Sequence, residues 1–257
     1  MGTPRKALEE RDVHEPRLLH EIALRPHLAQ LATSDTVCDA MCSLFLDHPA
    51  ALAFRRGDLY GELVTRLMTV TAPKDPADRT EATPGPLAQR LLYPAVAHRM
   101  LWQDTSALAR QEVLDVIAKT LPSLPQTQPC NPEQALTVLL THGRLLQQDT
   151  DADTVAFAHV GLRTYLGVEA IISHGDPTPL TVNAHRDDWT DAVQLTAAGG
   201  DERLSTRLLT ELVRRADAEP EHRPHLVALA ASCLDQLRCR VDPGLVQAVR
   251  SRATARY

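Results

Sequence analysis

The sequence predicts an all-α, mostly helical chain with one small β-hairpin, and three observations predict it. Apolar residues recur at three- and four-residue spacing along most of the 257 residues, the period of an amphipathic helix. Aromatic residues make up only 4% of the chain, so the core has to be built from Leu, Ala and Val, which favours packed helices over sheets. One stretch alternates instead: Arg144–Gln148 can pair with Thr154–Ala158 across the acidic turn Asp149–Asp153.

Residues 1–14 are polar and are expected to fray. Arg17 to Leu31 reads as helical but is interrupted at Pro26, which starts a second short helix because a first-turn proline sacrifices no intrahelical N–H. Ser34 or Asp35 can cap a helix over Thr36–Leu46 with Val37, Met41, Leu44 and Phe45 on one face. Gly57-Asp58 opens the next, which carries Leu59, Leu63, Leu67 and Met68. Four prolines and a glycine between Thr71 and Pro86 mark a linker. Leu87–Leu101 reads as a helix bent at Pro94, and Thr105-Ser106 as the cap of a helix over Ala107–Leu121. After an irregular stretch from Pro122 to Pro129, Asn131-Pro132-Glu133 supplies a cap, a first-position proline and a first-turn acid for a helix running to His142-Gly143.

The hairpin follows, and from Leu162 the spacing of Tyr165, Leu166 and Ile172 is helical again. Helix, hairpin, helix is the outline of a winged helix. A Gly/Pro/Thr loop (Ser173–Leu180) leads into helices over Asp187–Ala198, Asp201–Ala218, Pro224–Val241 and Asp242–Ala253. The domains expected are a small helical domain (15–72), a linker (73–86), a winged-helix domain (87–172) and a C-terminal helical domain (173–257).

Composition limits function. The net charge is −6, with three Lys against twenty-four Arg, and an acidic balance argues against bulk neutralisation of nucleic-acid phosphates. No run of about 18 apolar residues spans a bilayer, and the first ten residues hold no apolar signal core. Five irregularly spaced cysteines suit reduced thiols. The expectation is a cytoplasmic protein without membrane or nucleic-acid partners.

Two stretches resemble a known family. Phe157-x-His159, then Leu162-Arg-Thr-Tyr-Leu166, resembles the F-x-H-x-x-F-Q-E-Y-L signature of the winged helix in NACHT-type STAND NTPases, with Thr164 where the family carries a carboxylate. Upstream, Leu31-Ala32, Met41-Cys42, Arg56 and Asp58-Leu59-Tyr60 resemble the small helical domain that follows the ATPase core, with Ser34-Asp35 in place of its Asn-Pro pair. Trp189-x-x-Ala192-Val193-x-Leu195 resembles the helical domain after the winged helix. The resemblance implies that His159 contacts the β-phosphate of bound ADP in a closed state. It also implies a regulatory or signalling segment whose partner is a P-loop NTPase region or chain, or a second copy in self-association.

An absence bounds the chemistry. No Gly-x-x-x-x-Gly-Lys-[Ser/Thr] occurs, so nothing cradles and orients a triphosphate for transfer. No catalytic residue is therefore expected, and ADP or ATP is expected only where a P-loop region is supplied. Each remaining candidate has a plainer reading. His159, taken from the chain alone, reads first as a histidine fixing a strand–helix junction, since unaided histidines are more often structural. Cys38 and Cys42, with His20 and His27 nearby, lack a second ligand pair for zinc and read as buried thiols. Asp149, Asp151 and Asp153 lack the glycine and glutamate of a calcium loop and read as a solvated turn. In the helix before the hairpin only Asn131 and Gln134 could read base edges. The alternatives carried are a freestanding helical protein-interaction module and a winged-helix DNA-binding regulator.

Overall fold

The computed structural model of the chain describes residues 18–48, 50, 55–70, 86–124, 130–142 and 144–254. The frayed start (1–14), the linker (73–86, save Pro86) and most of the irregular stretch 122–129 lie outside the described residues. The chain is mostly helical with one small antiparallel sheet of three strands. No helix among the described residues is long and apolar enough to cross a membrane. Two compact units divide it, residues 1–92 with 106–162, and residues 93–105 with 163–257.

The first unit begins with α1 (18–24) and α2 (Pro26–Leu31). Arg25 is extended, as a residue before proline tends to be, and Pro26 takes the first helical position. In α3 (Asp35–Asp47) Val37, Ala40, Met41, Leu44 and Phe45 are buried, a stripe repeating every three or four residues. It packs on α4 (Arg56–Val70), which buries Leu59, Tyr60, Leu63, Val64 and Leu67. Arg66 of α4 reaches back to Ser43, at 2.5 Å, and to Asp47 of α3.

The sheet corrects the expectation of a lone hairpin. The hairpin itself forms, as β2 (Leu146–Asp149) and β3 (Thr154–Phe157), in the register Gln147↔Ala156. A further strand, β1 (Ala107–Ala109), pairs antiparallel with the other edge of β3, giving the order β1-β3-β2. Those three residues were expected to open a helix. They extend because Leu108 buries opposite Val155 while β3 gains a second ladder, and the helix α6 (Arg110–Thr120) starts only afterwards. Arg110 N–H donates to Asp153 O at 2.9 Å, fastening the helix start to the turn.

Pairing register alternates along the hairpin, so β3 turns Val155 and Phe157 inward and leaves Thr154 and Ala156 half-exposed. The acidic turn is held by Asp149, whose carboxylate accepts from Asp151 N at 3.0 Å and Ala152 N at 3.1 Å. Between the first and second strands, α6 packs on α7 (Pro132–His142). Its start is a reciprocal box: Gln134 N donates to Asn131 Oδ1 at 2.8 Å, and Asn131 N to Gln134 Oε1 at 3.1 Å.

Two helices continue from the first unit into the second, α5 (Pro86–Trp102) and α8 (Val160–His174). Within the second unit they approach closely at Gly167, where an added Cβ would lie 2.9 Å from Leu101 Cγ and 3.2 Å from Ala97 O. α5 stops at Asp104, a left-handed residue with φ +53, and Thr105 N bonds back to Met100 O at 3.0 Å. Asp104 also pairs with Arg186, and Arg163 donates to Thr105 O at 2.8 Å.

Beyond α8 the expected loop Ser173–Leu180 is shorter than predicted, because α9 (Thr178–Asn183) starts inside it. Pro177 and Asp176 precede that helix, and Asp176 Oδ1 accepts from Thr178 N and Oγ1 at 3.1 and 2.6 Å. α10 (Thr190–Gly199), α11 (Glu202–Ala218), α12 (Arg223–Gln236) and α13 (Pro243–Thr254) follow. The caps at Asp201 and Asp242 accept from Leu204 N and Leu245 N at 2.8 and 2.9 Å. α12 ends five residues before the expected Val241, since Leu237 adopts ψ 139 and leaves the helix.

Arg215 ties this unit together. It is 8% exposed and donates to both Glu219 carboxylate oxygens at 2.7 and 2.6 Å. It also donates to Val182 O at 3.0 Å and to Thr181 O, the carbonyls that end α9. A cation at a helix C-terminus meets the negative end of its dipole and gives the last carbonyls a further donor.

Candidate functional site

A cleft of about 510 Å³ opens in the first unit where two helices begin. One wall is Thr33–Thr36 at the start of α3; the other is Phe157–Val160, from the end of β3 to the start of α8, with Gln147 of β2 beside it. The first intrahelical bond of α3 is Cys38 N to Ser34 O at 2.8 Å, and the Ser34 side chain does not cap the helix. The N–H groups of Asp35, Thr36 and Val37 therefore have no acceptor within the helix, and together with the helix dipole they suit an anion. Among the described residues no Lys or Arg lines the cleft, and Asp35 brings a negative charge to it.

His159, the residue expected to meet a phosphate, stands in this wall and is 8% exposed. Both of its ring nitrogens have partners. Gly161 N donates to Nδ1 at 2.9 Å, so Nδ1 is unprotonated and the ring proton sits on Nε2. Nε2 lies 2.9 Å from Gln30 O and donates to it. His159 thus caps the first turn of α8 and pins α2 to it. A phosphate oxygen would take Nε2–H only as the Gln30 carbonyl gave it up.

Gly161 and Tyr60 complete this junction, and the sequence reading gave neither a place in it. A Cβ on Gly161 would lie 2.6 Å from Tyr60 Oη and 3.1 Å from His159 Cε1 and Nδ1. The phenol is 2% exposed, and Arg56 Nε and Nη2 donate to its oxygen, each at 3.3 Å. The Arg56 guanidinium also lies 5.6 Å from the Tyr60 ring centroid, within cation–π range. The visible signal for Gly161 was a glycine in the first turn of a helix, where close approach is a frequent reason for one. Gln30 contributes through its backbone, so its side chain carried no signal.

The structure brings Ser34-Asp35, Arg56, Tyr60, Phe157 and His159 together in one compact unit. Other candidates remain apart. Among the described residues no group of three or more His, Cys, Asp or Glu can hold a metal ion. Cys38 and Cys42 are half-buried, and burial first, then the neighbouring Cys38 and Asp39, push the Cys42 thiol up. Cys233 is buried in α12 and burial pushes its thiol up to about 12, while Cys239 lies beyond that helix. Asn131 and Gln134, the possible base readers, are bonded to each other. Exposed Glu133 beside them pairs with Arg110.

No protein-family model, no curated protein and no solved structure matches the chain.

Proposed function

We propose that the chain is a non-catalytic regulatory or signalling segment resembling the C-terminal half of a NACHT/STAND NTPase. It closes over a nucleotide held by a P-loop region that this sequence does not contain. One observation carries the reading: residues from two separate motif resemblances, some 120 positions apart, line or buttress a single anion-suited cleft. Helix α5, strand β1, helices α6 and α7 and strands β2 and β3 follow one another in the order of a helix-and-wing unit, and the sheet order β1-β3-β2 accords with it.

Among the described residues the cleft offers backbone N–H groups but no cationic side chain, so in this reading the nucleotide phosphates are neutralised by the P-loop lysine and Mg²⁺ of the partner. His159 joins them by redirecting its Nε2–H hydrogen bond from Gln30 O to a phosphate oxygen. Nucleotide binding and the α2–α8 contact then compete for one proton, which makes the cleft a two-state element. The DNA-regulator alternative loses support from the Asn131–Gln134 box and the Arg110–Glu133 pair.

The test is ADP binding by the purified chain, alone and with a P-loop-bearing NTPase core in trans. The chain alone is expected to bind weakly, with Kd of roughly 1 mM or above. With the core present, ADP binding tightens and His159→Ala removes the gain. ATP turnover by the chain alone overturns the reading.

A further inference from the structure

We propose that His98 and His174 form a proton-sensitive clasp in the second unit, joining the last turns of α5 to the end of α8, closed while the stacked His98 imidazole is neutral and loosened by acid. The clasp is independent of the nucleotide reading. The two rings stack with centroids 5.2 Å apart and planes inclined by 19°. They sit on helices that Gly167 already brings close, since Leu101 and Ala97 of α5 crowd its Cα.

The protonation states follow from the partners. His174 Nδ1 lies 2.6 Å from Ala170 O, a pure acceptor, so that nitrogen donates and the ring is held to the last turn of α8. His98 is half-buried, and burial first, then His174, hold its pKa below the ordinary value, against a smaller opposing pull from Asp176. Asp176 follows α8, and hydrogen bonds from Thr178 keep its carboxyl below the usual range, so its charge is constant where histidines titrate. Arg207 of α11 faces the same turn, donating to Gly175 O at 2.7 Å and lying 3.8 Å from Asp176. Trp102 also neighbours His98, ring centroids 6.1 Å apart, and carries no charge.

Acid therefore brings a positive charge onto a half-buried ring stacked against a second imidazole, with one carboxylate nearby that already faces a guanidinium. A histidine whose folded pKa is depressed binds protons more readily when unfolded. Its stabilising contribution is complete above about pH 6.5 and is lost as pH falls through the folded value.

The chain has 11 histidines, so the readout must be site-specific. Histidine Cε1–H resonances, followed from pH 8 to 4.5, should show His98 titrating below about 6.5 in the native protein and moving up by a few tenths to one unit in His174→Gln. Amide exchange at residues 97–102, corrected for intrinsic rates, should accelerate severalfold on acidification, and His98→Gln should abolish that acceleration. His174 is exposed, so its replacement tests the coupling even if His98→Gln does not fold. An unchanged His98 titration in His174→Gln, or exchange at 97–102 indifferent to pH, overturns the clasp.

Discussion

At the scale of single residues, the junction beneath the cleft is a set of contacts that exclude alternatives. Gly161→Ala sets a methyl against the Tyr60 hydroxyl, and overpacking of this kind costs about 1–3 kcal/mol. Tyr60→Phe withdraws the oxygen, so the double variant is expected to recover most of that loss; additive losses in a thermal-unfolding cycle would contradict the contact. His159→Ala leaves the Gly161 N–H without its acceptor, while Thr33 N and Oγ1 still donate to Gln30 O, and is expected to cost about 1 kcal/mol before any nucleotide is considered. Stability and ADP affinity must therefore be measured on the same variant. Arg215→Ala removes the donor to Val182 O and Glu219, while Thr181 O keeps Ala184 N and Glu219 stays solvent-accessible, and is expected to destabilise by about 1–3 kcal/mol. Arg215→Lys should recover little, since an ammonium cannot reproduce the planar fork. Cys233, buried and with its thiol raised to about 12, should stay unreactive toward a disulfide reagent at pH 8 until the second unit unfolds.

At the scale of elements, what the sequence revealed depended on whether the cause was local. The starts of α2, α7, α11 and α13 were legible because a proline or a capping side chain acts within a few residues of itself. The hairpin was legible because Asp149 closes its own turn. β1 was not, since Ala107–Ala109 becomes a strand only through β3, some fifty residues away. The end of α12 was missed because Leu237 and the residues after it keep helical composition while the backbone leaves the helix. Of the candidate site, His159 was visible through its neighbours in sequence, but its partners Gln30 and Gly161 act through backbone atoms. The α7 box also gives a clean prediction: Asn131→Ala should lower stability by about 1 kcal/mol, and Asn131→Asp should keep most of it. A neutral Asn131→Ala in urea unfolding would mean the box does not hold the helix start.

At the scale of the whole molecule, the chain is two helical units with an anion-suited cleft in the first and an arginine hub in the second. A net charge of −6 and a cleft lined, among the described residues, by no Lys or Arg set the physical problem: in the proposed reading a phosphate is received there with a cation supplied by the partner. That requirement is what distinguishes a segment that closes over a nucleotide from one that holds it. The most direct measurement is titration calorimetry of ADP into a P-loop-bearing core, with and without the chain. The account predicts that the chain tightens binding by about tenfold or more, equivalent to about 1.4 kcal/mol, and that His159→Ala cancels the effect. An affinity for ADP that is the same with and without the chain would contradict it.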